Sequence, residues 1–108
     1  MTELQLEQFE HQLKDYVVQQ MTTDPAHDLS HIERVVAAAK SFAITENAKP
    51  EVVIPAAWLH DCVSLPKNHP ERHNSSKLAG IEAIRVLAEI NYPVIFFDEI
   101  KHAIEAHS

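Results

Sequence analysis

A chain of 108 residues is long enough for one domain with a buried core and too short for two. Nine basic against sixteen acidic residues give a formal charge of −7, the wrong sign for gripping a nucleic-acid duplex or an anionic membrane surface. The longest apolar run, Val52 to Leu59, is eight residues and contains Pro55, far short of the ~20 that a membrane helix needs.

The opening Met1-Thr2-Glu3 lacks a basic region followed by an apolar one, so no secretory signal is expected. One cysteine, Cys62, cannot form an internal disulfide. Together these predict a soluble, cytoplasmic protein. A single glycine cannot serve the turns of a β-rich fold, which predicts helices. Eight histidines are more than packing calls for in so small a domain, and histidine is the commonest metal ligand.

The first predicted helix carries Leu6, Phe9, Leu13, Tyr16, Val17 and Met21 on one face and stops at Asp24-Pro25. The second buries Ile32, Val35, Val36, Ala39, Phe42 and Ala43, with Asp28 or Ser30 as its N-cap, and ends near Asn47 and Pro50. The third, Glu51 to about Asp61, is apolar on nearly every side, as in a helix surrounded by its neighbours; a central strand is the competing reading. A polar loop from Leu65 to Asn74 follows. Ser75 or Ser76 would cap a fourth helix with Ile81, Ile84, Leu87 and Ala88 inside, ending at Asn91. The last helix starts near Pro93 or Val94 and places Phe96, Phe97, Ile100, Ala103, Ile104 and His107 on its inner face. No stop signal ends it before Ser108.

Three histidines lie at the edge or end of apolar faces. His31 borders the buried face of the second helix, His107 continues that of the last, and His60 with Asp61 closes the apolar third helix. Burying an imidazole beside a carboxylate is costly unless the two are paired or metal-bound. A lone inward histidine is ordinarily satisfied by a backbone carbonyl. His11 and His102 read as solvated, Cys62 as a small buried hydrophobe, and Lys67 and Arg72 as loop charges.

The stretch His27-Asp28-Leu29-Ser30-His31-Ile32-Glu33-Arg34-Val35, followed by Ala57-Trp58-Leu59-His60-Asp61, resembles the HD superfamily of metal-dependent phosphohydrolases. The continuation from Cys62 to Asn68, then Arg72, Ser75-Ser76 and Ile104-Glu105-Ala106-His107-Ser108, is similar to the small bacterial HD hydrolases of the YedJ-like branch. The resemblance implies an all-α HD-domain bundle of about five helices, with a divalent ion held by His31, His60 and Asp61. The family's fourth ligand, an aspartate, would fall beyond Ser108. Residues 1–108 are therefore expected to be the N-terminal portion of one HD hydrolase domain, truncated at its C-terminus.

The implied reaction is hydrolysis of a phosphate ester or anhydride, such as a nucleotide, by a metal-activated water. A mixed nitrogen and oxygen site suits manganese, iron, zinc, cobalt or nickel better than magnesium. Asp61 would orient the nucleophile, and Lys67 and Arg72 would hold substrate phosphates. His27 and Asp28 would fix His31 from behind, and Arg34 would serve the site or pair with a neighbouring helix. His107 has three open roles: binding phosphate, acting as general acid, or approaching a second metal. The alternatives are a non-catalytic helical binding module that keeps the HD scaffold, and a homodimer whose copies complete each other.

Overall fold

Five α-helices follow one another: α1 (Glu3–Thr23), α2 (Leu29–Thr45), α3 (Pro50–Leu59), α4 (Ser75–Glu89) and α5 (Phe97–Ala106). Single 3-10 turns at Arg72–Asn74 and Val94–Phe96 precede α4 and α5. The computed structural model describes residues 1–23, 29–63 and 68–106, with side chains for all of these but 21–23 and 72. Among the described residues there is no strand, so the all-α class holds and Val52–Leu59 is helical.

The α3 helix is the centre of the bundle, packed by α1, α2 and α5, while α4 closes the structure against α5. Seven of its ten residues are buried, which explains its lack of a polar face. It starts cleanly because Pro50 stands in the first turn, where a missing N–H costs nothing, and the Lys49 carbonyl accepts from both Val52 and Val53. Pro55 inside the helix deprives the Glu51 carbonyl of its usual donor. The Tyr92 hydroxyl fills that vacancy, donating to Glu51 O at 2.5 Å. Its ring, 2% exposed, packs edge-on against Phe9 at 4.9 Å.

Helix ends are handled without glycine. Thr2 and Gln5 form a reciprocal cap on α1, Gln5 N–H donating to Thr2 Oγ1 at 3.1 Å and Thr2 N–H to Gln5 Oε1 at 2.9 Å. Asn47 and Asn91 stop α2 and α4 in the left-handed region, at φ 54° and 61°. There Ala48 N–H reaches back to Ala43 O and Tyr92 N–H to Leu87 O, the bond pattern that normally places glycine at the turn.

Several expectations are corrected. Ser75 opens α4 rather than capping it: Asn74 holds the cap position and makes no side-chain cap bond. Ser30 lies within the first turn of α2, and Asp28 lies outside the described residues. The inner face of α4 is Ala79, Gly80, Ala83, Val86 and Leu87; Ile81 is 59% exposed and Ala88 is exposed too. Small residues take that face because α5 comes close: a methyl group on Gly80 would sit 3.2 Å from Lys101 Cγ and 3.3 Å from Glu105 Cγ. Phe42, expected inside, is 52% exposed on the flank of α2. The α3 helix ends at Leu59 with His60 as its C-cap, so His60 and Asp61 stand in the turn beyond it.

Candidate metal centre

His31 occupies the first turn of α2 and His60 caps the C-terminus of α3, so the packing of these two helices brings the rings together. Their centroids are 6.2 Å apart with the planes inclined at 60°. His31 is exposed and His60 partly buried, which leaves the pair open on one side. His60 Nδ1 lies 2.6 Å from the Ala57 carbonyl oxygen. A carbonyl only accepts, so Nδ1 carries the hydrogen, and in a neutral imidazole that leaves the basic lone pair on Nε2. A backbone bond of this kind is how proteins fix the tautomer of a ligating histidine.

Asp61, next in sequence, lines a small cavity with Tyr16, Val17 and Gln20 of α1, Ile32 of α2, and Trp58 and Cys62. His60 instead lines an apolar groove of about 400 Å³ bounded by Val35, Ala39, Phe42, Val53 and Ala103. Among the described residues, no three of the His, Cys, Asp and Glu side chains are gathered as a metal ion would need. The structure thus pairs His31 with His60, fits one of the two imidazoles with a fixed tautomer, and sets Asp61 next to His60 in the turn after α3, where it lines a different crevice from the His60 groove. Arg34 is exposed on α2. His27, Asp28, Lys67 and His107, and the side chain of Arg72, lie outside the described residues.

The residues behind the doublet were not foreseen. Trp58 Nε1 donates to Glu10 Oε2 at 2.9 Å, and Lys40 Nζ meets the same oxygen at 3.0 Å, joining α1, α2 and α3 at one carboxylate. On the other side, Tyr16 donates to Glu82 Oε2 at 2.7 Å, and Arg85 grips both Glu82 oxygens at 2.8 Å while also holding Glu89 at 2.7 Å. The Arg85 guanidinium holds the Glu82 carboxyl below its ordinary value. Burial, then the hydrogen bond to Glu82, pushes the Tyr16 phenol up. Burial, then the Glu82 charge, raises the Cys62 thiol to about 12, so it stays protonated and unreactive at neutral pH. The 82, 85 and 89 spacing of opposite charges on α4 was the available signal; nothing in the sequence links Tyr16 to it across 66 residues.

The helical frame, the His-Asp turn at the end of its central helix and the histidine facing it agree with what a search of family models finds: the HD domain model matches residues 28–108, more than half of the chain. The chain belongs to the HD domain family. No curated protein and no solved structure matches it. HD domains are typical of metal-dependent phosphohydrolases. The α1 helix precedes the matched stretch, yet it supplies Glu10 to Trp58 and Tyr16 to Glu82. No helix among the described residues is long and apolar enough to cross a membrane.

Proposed function

We propose that the protein hydrolyses a phosphate ester or anhydride with the help of a divalent ion held by His31, His60 and Asp61. The observation that carries this reading is the approach of His31 to His60 at 6.2 Å with the His60 tautomer set by Ala57. Placing a cation there is also favoured by the negative C-terminal end of the α3 dipole, which His60 caps. When bound, the ion lowers the pKa of water toward ~7 and offsets charge on the phosphoryl group. Two nitrogens and an oxygen suit manganese, iron, zinc, cobalt or nickel better than magnesium.

The chain's own groups have separate tasks in this reading. His60 Nε2 and the His31 ring donate to the cation, and the Asp61 carboxylate joins them and orients the attacking water. Lys67 and Arg72 hold the phosphate oxygens, Arg as a fork and Lys as a point charge. His107 stands with the substrate as phosphate binder or acid, and His27 and Asp28 steady His31. The apolar groove beside His60 takes the organic part of a substrate such as a nucleotide. The narrower likeness to the bacterial YedJ-like branch rests on the Cys62–Asn68 and Ile104–Ser108 segments.

The test is a screen of phosphorylated compounds with several divalent ions, paired with elemental analysis. About one ion per chain and turnover lost on chelation are expected; undiminished turnover in chelator-treated protein would refute the reading. A second reading, a binding module without turnover, is favoured by the absence of a gathered ligand trio among the described residues. It predicts phosphate-ester binding that is unchanged by metal and never followed by product.

A further inference from the structure

We propose that Tyr16 and Cys62 are positioning residues that lock the turn bearing Asp61 to α4. The inference rests on the reading of Asp61 as a metal ligand. The turn leaving α3 is closed by a backbone bond from Cys62 N–H to Leu59 O at 3.2 Å, at the long end of the useful range. It is held from outside as well. The Cys62 thiol donates to Ala79 O at 3.4 Å, in the first half of α4. One helical turn further along α4, Glu82 accepts the Tyr16 hydroxyl at 2.7 Å, and Arg85 clamps the Glu82 carboxylate in place.

The two bonds land on neighbouring turns of the same helix, one from the Asp61 turn and one from α1. Tyr16, Asp61 and Cys62 line one small, apolar-walled crevice, so α1 packs directly against the turn that carries Asp61. With residues 60–62 fixed in this way, Asp61 keeps its place next to His60. Without the Tyr16 hydroxyl, α1 loses this bond to α4, and the hold of α4 on the turn rests on the weak thiol bond. The α1 helix is then part of the working site although it precedes the family-matched residues.

The experiment measures two quantities on Tyr16→Phe and Cys62→Ala: amide hydrogen exchange at residue 62 by NMR, and Mn²⁺ affinity by electron paramagnetic resonance. Tyr92→Phe is the comparison, since it removes a tyrosine hydrogen bond of similar kind at the opposite end of α3. In Tyr16→Phe the residue 62 amide is expected to exchange about tenfold faster, the loss of one hydrogen bond's worth of local stability. Mn²⁺ affinity is expected to fall about tenfold in both Tyr16→Phe and Cys62→Ala. Tyr92→Phe leaves both quantities at wild-type values.

Wild-type exchange at Cys62 in Tyr16→Phe would overturn the tether. Faster exchange with wild-type Mn²⁺ affinity would overturn the positioning role, as would Tyr92→Phe reproducing both effects. If the unaltered protein takes up no Mn²⁺, the metal reading of the site and the positioning role fall together. The exchange rate still decides whether Tyr16 holds the turn.

Discussion

The two ends of α3 are built for opposite purposes. At its start, Pro50 needs no partner, the Lys49 carbonyl takes two donors, and Tyr92 supplies the donor that Pro55 removes from Glu51. Lys49 also pairs with Glu99 of α5 at 3.1 Å. At its finish, polar side chains crowd together: His60 caps the helix, His31 faces it, and Asp61 and Cys62 follow, none of them fully buried. The first end satisfies its polar groups internally, which serves stability. The second leaves two imidazoles and a carboxylate at least partly exposed, as the proposed metal chemistry requires.

That contrast is broken most directly at the finish. If His60 is a ligand as proposed, His60→Ala is expected to lower phosphoester turnover by more than about 100-fold with manganese present. Its thermal midpoint should stay within a few degrees of wild type, and a collapse of the fold would mean that this end is structural after all. At the start, Tyr92→Phe leaves the Glu51 carbonyl without its donor. It is expected to cost about 1–3 kcal/mol in urea unfolding, with metal affinity untouched.

The pH dependence sharpens the same division. An unfolded chain ionises the Cys62 thiol near 9.0, the folded one near 12. Its contribution is therefore whole below pH 9.0 and is lost as pH rises toward 12. Cys62→Ala should remove part of the alkaline loss of stability seen by circular dichroism, while the raised phenols of Tyr16 and Tyr92 keep theirs. For Glu82 the sign reverses: its depressed value gives stability present above 4.5 and lost as pH falls below it, and Glu82→Gln abolishes that dependence. The smallest effect belongs to Asn91→Gly. Glycine relieves the left-handed backbone at the end of α4, and a gain of less than about 1 kcal/mol is expected in the same unfolding assay.

The helical class, the HD family and the five helices were legible because they rest on local information, a 3.6-residue period with proline and asparagine stops, although α5 begins at Phe97, after a 3-10 turn, and not at Pro93 or Val94. The face of α4 was misread because large side chains were weighted over small ones. Ile81 is bulky and exposed, whereas Ala79, Gly80 and Ala83 are small and buried because α5 lies against them. Phe42 was misplaced for a related reason: it sits on the margin of the α2 stripe, where the sequence does not show that α3 and α5 leave a groove. The His31 to His60 approach was expected from the family likeness. The supports from Tyr16 and Glu10 were not, since each joins residues 48 or more positions apart and only the fold brings them together.

Trp58 is the sole tryptophan of the chain, two residues before His60, with its ring 4% exposed and its N–H on Glu10. The protein therefore carries an intrinsic optical label at the foot of its doublet. Excitation at the indole band reads the junction of α1 and α3 alone, and a paramagnetic ion settling beside His60 should dim that emission before any substrate is known.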